Sequence, residues 1–205
     1  MVAIIDYGMG NLRSVQKAIE FCKEEAIITN NINDIQKASH IILPGVGAFK
    51  DGMNNLTQLG LIDILNKEVL INKKPFLGIC LGMQLICTKS YEHEETNGLN
   101  WIDAEVKRFE SPKLKVPHVG WNEVDIQKDS KLFQNISNKS DFYFVHSFYI
   151  NNTIHTLSET TYISNFTSAI EKNNIFACQF HPEKSQKAGL QLLNNFINIS
   201  GDNYA

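Results

Sequence analysis

Excess positive charge is missing from this chain. It carries 19 Lys+Arg against 22 Asp+Glu, a net charge of −3, so it lacks the basic footprint that nucleic-acid binding requires. Long apolar runs are missing too: none approaches the ~20 residues that a membrane-spanning helix needs, and no membrane partner is expected. The start, Met1-Val2-Ala3-Ile4-Ile5-Asp6, has neither the basic residues nor the extended apolar core of a secretory signal and reads as a first strand. Cysteine is scarce, with four residues (Cys22, Cys80, Cys87, Cys178) at irregular spacing. That pattern implies free thiols in a reducing compartment, and a cytoplasmic location is expected. Cys178 and His181 lie three apart, but no second pair at ligand spacing accompanies them; no metal is expected, and Cys178 is read as core. Repeats, low-complexity tracts and linker-like stretches are absent, so residues 1–205 are expected to form one domain.

What is present is an alternation of short apolar runs and helical patterns. Residues 2–6 predict a strand, Leu12 to Lys23 a helix with Leu12, Val15, Ile19 and Cys22 on one face, and Ala26 to Thr29 a second strand. Asp34 is read as the N-cap of a short helix, followed by a strand at Ile41-Ile42-Leu43 that stops at Pro44. Residues 51–72 predict one or two helices broken near Gly60, and Phe76 to Ile79 a buried strand. Strands alternating with helices imply an α/β fold: an open, mostly parallel sheet with flanking helices. From Leu99 onward extended runs dominate: Trp101 to Phe109, Val116 to Val124, Phe142 to Ile150 and Thr153 to Tyr162. A hairpin follows, Phe166 to Ile170 and Ile175 to Phe180 joined by residues 171–174, and a helix over Gln186 to Ile199 closes the chain. This second half is expected to add an antiparallel β extension to the sheet.

The stretch Pro75-Phe76-Leu77-Gly78-Ile79-Cys80-Leu81-Gly82-Met83-Gln84 stands out. An apolar run ends at a cysteine framed by two glycines, the arrangement of a nucleophile elbow between strand and helix. Unpaired N–H groups at the start of the following helix favour a thiolate and a nearby oxyanion. The plainer alternative is that Cys80 is a small core residue. Such a residue has no need of flanking glycines. Cys87 is expected on the same helix, two turns on. A second constellation, Gln179-Phe180-His181-Pro182-Glu183-Lys184, offers a base and a carboxylate two residues apart, which would share a face in extended chain. A thiol nucleophile needs both groups.

Together, Gly78 to Gln84 and Gln179 to Ser185 resemble the class I (triad) glutamine amidotransferases, which are flavodoxin-like. The likeness extends through Asp6 to Leu12, Leu43 to Phe49, Val116 to Asn122 and Phe144 to Ser147. These motifs resemble the branch whose members are glutaminase subunits paired, as heterodimers, with a (β/α)₈ cyclase. The cyclase uses the ammonia to make imidazole glycerol phosphate and an aminoimidazole carboxamide ribonucleotide in histidine biosynthesis. The resemblance implies L-glutamine as substrate, no cofactor, Cys80 as nucleophile, His181 as base and Glu183 as its orienting carboxylate. It implies an oxyanion hole from Val46, Gly47 and Leu81, and glutamine binding by Gly47, Gln84, His146, Ser147 and Phe148. Asn11, Arg13, Trp121, Asn122 and Lys184 are the expected partner interface. Read without the resemblance, Pro44 to Gly47 is an ordinary strand-ending turn, His146-Ser147 a strand end, and Trp121 a core residue. Two other readings remain at this stage: the same glutaminase feeding a sugar-aminating synthase of surface polysaccharides, and a non-catalytic interaction subunit that retains the fold.

Overall fold

The computed structural model describes residues 1–201. The first half alternates as its pattern predicts: β1 (Val2–Ile5), α1 (Leu12–Phe21), β2 (Ala26–Thr29), α2 (Ile32–Lys37), β3 (His40–Gly45), α3 (Phe49–Gln58), α4 (Leu61–Asn66), β4 (Phe76–Cys80) and α5 (Leu81–Leu85). The second half comprises β5 (Cys87–Ser90), β6 (Thr96–Asn97), β7 (Ile102–Arg108), β8 (His118–Ile126), β9 (Ser140–His146), β10 (Phe148–Ile150), β11 (Thr156–Thr161), β12 (Asn165–Lys172), β13 (Ile175–Cys178) and α6 (Gln186–Ile197).

Nine strands form the main sheet in the order β2-β1-β3-β4-β13-β12-β11-β8-β9. The β2-β1-β3-β4-β13 portion is parallel throughout and has the flavodoxin-like order, with β13 in the fifth place. From β13 to β9 every pairing is antiparallel. Strand side chains alternate between two cores. Val2, Ile4, Ile42, Leu77 and Ile79 pack with α1 and α6, whereas Ile5, Ile41, Leu43 and Phe76 pack with α3, α4 and β7. Burial on both faces explains why the parallel strands read as unbroken apolar runs.

Several sequence expectations need correction. α2 is capped by Asn31, whose side chain accepts the Asn33 N–H at 2.8 Å, while Asp34 sits inside the first turn and accepts from the Thr29 hydroxyl at 3.0 Å. Gly60, at φ +66°, does separate two helices, and α4 continues as a π-helical turn over Lys67–Ile71. The hairpin between β12 and β13 turns on two residues, Asn173 and Asn174, because pairing reaches Lys172↔Ile175. The run at 142–150 is not one strand. It breaks at Ser147, leaving β9 in the main sheet while β10 joins a second, four-stranded sheet ordered β10-β7-β5-β6.

Cys87 is not on the helix after Cys80. α5 lasts only five residues. The next carbonyls are taken by a distant segment: Leu85 O accepts the Leu99 N–H, and Ile86 O accepts those of Trp101 and Ile102. Tertiary pairing thus outcompetes helix propagation, and Cys87 opens β5. No helix among the described residues is long and apolar enough to cross a membrane.

Candidate active site

β4 lies between β3 and β13, and all three point the same way, with Gly45 opposite Cys80 and Cys178 opposite Ile79. The carboxyl ends of three adjacent strands therefore meet at one edge, where open α/β sheets bind ligands. Cys80 ends β4 with φ +54° and ψ −106°, a conformation that costs a non-glycine residue about 1–3 kcal/mol and is held by its surroundings. The two framing glycines provide that hold. A Cβ on Gly82 would overlap the Leu43 carbonyl oxygen, and one on Gly78 would lie 2.8 Å from the Gly82 carbonyl oxygen. Strand and helix approach backbone to backbone, and the cysteine is turned out of the sheet.

His181 follows the end of β13. Its backbone N–H donates to Tyr143 O at 2.8 Å, and its carbonyl accepts the Ser185 hydroxyl at 2.6 Å. Those bonds pin the residue between β9 and the turn at Pro182–Lys184. That turn is a 3₁₀ helix, so Glu183 does not reach His181 along an extended strand as the two-residue spacing suggested. The tight turn instead folds the carboxylate back, and Glu183 Oε1 accepts from His181 Nδ1 at 2.9 Å, with the two side chains only 1% and 3% exposed. A carboxylate can only accept, so Nδ1 carries the proton and Nε2 is left for the sulfur. Burial opposes the charged imidazole, but the influence of the nearby Cys80 sulfur and the bonded Glu183 carboxylate outweighs it, raising the His181 pKa to about 10. Such an imidazole is a strong acceptor for a thiol proton. Cys178 and Cys87 are different: both are fully buried, burial pushes their thiols up, and their sulfurs are occupied by Phe180 O and Met83 O.

Above Cys80 lies a pocket of about 290 Å³ lined by Val46, Gly47, Leu81, Gln84, Glu92, Pro117, Val145, His146, Ser147 and Phe148. Every oxyanion and glutamine residue expected from the sequence is in that lining. Gly47 has φ +108°, open to glycine and strained for other residues. Leu81 is the first residue of α5, so its N–H has no carbonyl to meet within the helix. Gln84 is committed on one side: its Nε2 donates to Phe148 O at 3.2 Å and to Gln179 Oε1 at 3.0 Å. Only its carbonyl oxygen remains for a ligand.

The family model described as "Glutamine amidotransferase class-I" matches residues 3–199. The chain belongs to the class-I glutamine amidotransferases. It is similar to "Imidazole glycerol phosphate synthase subunit HisH 1" of Campylobacter jejuni (strain RM1221), at 51% identity covering 97% of this chain and 100% of the relative. It is likewise similar to "Imidazole glycerol phosphate synthase subunit HisH 2" of Methanococcus maripaludis, at 51% identity over 96% of this chain and 98% of the relative. A solved structure described as "Crystal structure of glutamine amidotransferase" superposes with a TM-score of 0.74 at 15% identity, covering 96% of this chain and 99% of that one, a likeness of fold.

This amidotransferase groups Trp121 and Lys184, two of the residues expected at a partner interface, around Tyr143. Trp121 is 48% exposed and stands opposite Tyr143 across β8 and β9, their rings edge to face at 6.0 Å. The Lys184 ammonium lies 5.7 Å from the Tyr143 ring centre. α1, which carries Arg13 and is preceded by Asn11, packs against the turn that holds Lys184. Asn122 does not join them. It faces the other side of β8, where its side-chain N–H groups serve His118 Nε2 at 3.2 Å and Thr161 O at 3.0 Å.

Two features of the amidotransferase pocket escape sequence reasoning. Glu92, from the loop before β6, accepts the Phe49 N–H at 2.6 Å at the start of α3 and borders the pocket; no periodicity marks it. The other is a buried histidine pair, His118 Nδ1 to His146 Nε2 at 3.0 Å, with His146 Nδ1 bonded to Phe148 O at 2.8 Å. Since Phe148 O only accepts, His146 donates from Nδ1 and accepts at Nε2. His118 must then donate from Nδ1 and accept the Asn122 N–H at Nε2. Both rings are neutral, as their burial demands: it lowers the His118 pKa to about 4 and that of His146 to about 3.

Proposed function

We propose that this chain is the glutaminase subunit of an imidazole glycerol phosphate synthase, working as a single domain in the cytoplasm and passing ammonia to a (β/α)₈ cyclase subunit. The observation that carries the proposal is His181 bonded through Nδ1 to Glu183, its buried Nε2 free of any other partner and its charge state governed by Cys80, beneath a pocket of amino-acid scale that Cys80 lines. The names of the relatives quoted above support the choice of pathway.

In this reading the Cys80 thiol loses its proton to His181 Nε2, and the sulfur attacks the carboxamide carbon of L-glutamine. The oxyanion is met by N–H groups of the Val46-Gly47 segment and Leu81. His181 returns the proton to the departing nitrogen, releasing ammonia and leaving a γ-glutamyl thioester. Water, deprotonated by the same imidazole, then splits the thioester to glutamate and the free thiol. Glu183 keeps the imidazole in its working tautomer and stabilises its charge. Gln84 Oε1 and the Glu92 carboxylate are acceptors suited to the α-ammonium of glutamine. No cofactor takes part. The face around Trp121, Lys184, Asn11 and Arg13 meets the cyclase, and Asn122 supports it from behind.

The test is glutamate release by the purified chain, alone and with a histidine-pathway cyclase and its nucleotide substrate. Strong stimulation that vanishes with Cys80→Ala is expected. A second reading, a sugar-aminating synthase as acceptor, shares the same glutaminase chemistry and differs only in the partner that stimulates it. An intact Cys80 that reacts with a glutamine-analogue alkylator, yet gains nothing from the histidine-pathway cyclase, would select that reading.

A further inference from the structure

The triad leaves one polar group on the sulfur unexplained. Gln179 is fully buried, two residues before His181, and its Nε2 lies 3.6 Å from Cys80 Sγ. Its orientation follows from bonds further away. Phe148 O is a backbone carbonyl and only accepts, so the Gln84 atom 3.2 Å from it is the amide nitrogen. That same nitrogen is 3.0 Å from Gln179, which must therefore present its oxygen there and its nitrogen to the sulfur. Phe148 O is held in turn by the Nδ1–H of His146. The polarity of the chain of bonds, fixed at a main-chain carbonyl, ends in an N–H aimed at Cys80.

We propose that Gln179 is a further catalytic residue, donating an N–H to the Cys80 sulfur and holding the anionic nucleophile in place for attack, with its donor end imposed by Gln84 and the Phe148 carbonyl. A thiol proton finds a poorer alternative in Val145 O at 3.9 Å. An N–H donor favours the form with a full lone-pair charge over the protonated one. The five-residue α5 also offers little macrodipole, which grows with helix length, so a side-chain donor supplies what the short helix does not.

This inference rests on Cys80 being the nucleophile, and the experiment separates the two. The rate of Cys80 modification by iodoacetamide, followed by peptide mass spectrometry, is measured against pH for the unmutated chain, Gln179→Glu and Gln179→Met. The other titratable groups facing the sulfur are His181, Tyr7 and Cys178; both variants leave them in place. Loss of one hydrogen bond to a charged acceptor moves the midpoint of the rate curve up by about one unit, an approximately tenfold slower reaction at neutral pH. The shift is larger for Gln179→Glu, which places an acceptor against the sulfur. A lowered melting temperature with an unmoved midpoint would show a merely structural role and overturn the proposal. In the unmutated protein the Gln179 side-chain N–H resonance moves across the same pH interval, and this movement disappears in Cys80→Ala. A resonance indifferent to pH overturns the proposal even where neither variant folds. If Cys80 in the unmutated chain resists alkylation at every pH, the nucleophile assignment fails instead.

Discussion

The two halves of the main sheet hold the pocket in opposite ways. On the parallel side, around β3, β4 and α5, position is set by backbone: a positive φ at Cys80 and glycines where any Cβ would strike a carbonyl. On the antiparallel side, around β8, β9 and the turn that follows β13, position is set by side-chain polarity: Glu183 to His181, and Asn122 through His118 and His146 to Phe148 O. The first wall is intolerant of added volume. The second is intolerant of a donor exchanged for an acceptor, or of either one lost.

That contrast can be broken or sharpened by substitution, and the largest effect is expected on the polar wall. Glu183→Gln keeps the shape but removes the charge behind His181, so glutamate release with the partner present drops roughly 10³- to 10⁴-fold with little change in melting temperature. A collapse in stability with unaltered turnover of the folded fraction would reverse the assignment of roles. Gly82→Ala is the converse experiment. Overlap with the Leu43 carbonyl forces the elbow open, and urea unfolding should register a loss of about 3 kcal/mol or more, with activity lost alongside. His118→Phe suits the stacked position between Phe144 and Tyr162 but strips His146 Nε2 of its donor, at a cost of about 1–3 kcal/mol.

The same variant carries a pH signature. His118 and His146 have folded pKa values depressed to about 4 and about 3 from 6.5. Their contribution to stability is present above pH 6.5 and lost as pH falls through those values. His181, raised from 6.5 to about 10, acts with opposite sign: its contribution is present below pH 6.5 and lost as pH rises through about 10. Unfolding free energy in His118→Phe therefore falls less steeply than in the unmutated chain between pH 6.5 and 4, with the alkaline limb unchanged. Equal acid slopes would remove His118 from the account. The smallest effects concern helix starts. Asn31→Ala removes a real cap, costing about 1 kcal/mol, whereas Asn11→Ala, which makes no side-chain capping bond, changes stability by less than about 0.5 kcal/mol.

The same contrast governs what could be read from the sequence. Parallel strands buried on both faces appear as apolar runs, and a glycine frame is local, so the first half and the elbow were legible. Helix length after Cys80 was not, because the carbonyls that would have continued α5 are taken by residues 99–102. For the same reason the second sheet, the break at Ser147 and the place of Glu92 were hidden: each depends on a partner far along the chain. The spacing of His181 and Glu183 pointed to a pair but misjudged its form, since a 3₁₀ turn at Pro182 replaces extended chain. Asn122 sits beside Trp121 in sequence and on the opposite face in space, as strand alternation requires.

Among the described residues β13 is the last strand to be made, yet it occupies the centre of the sheet, between β4 and β12. During synthesis the chain therefore exposes Cys80 long before there is an imidazole beside it, and the slot next to β4 stays open until the β12–β13 hairpin enters. A growing chain on the ribosome holds a thiol with no base, no carboxylate and no far pocket wall. Assembly of the sheet and delivery of the base to the sulfur are therefore one event.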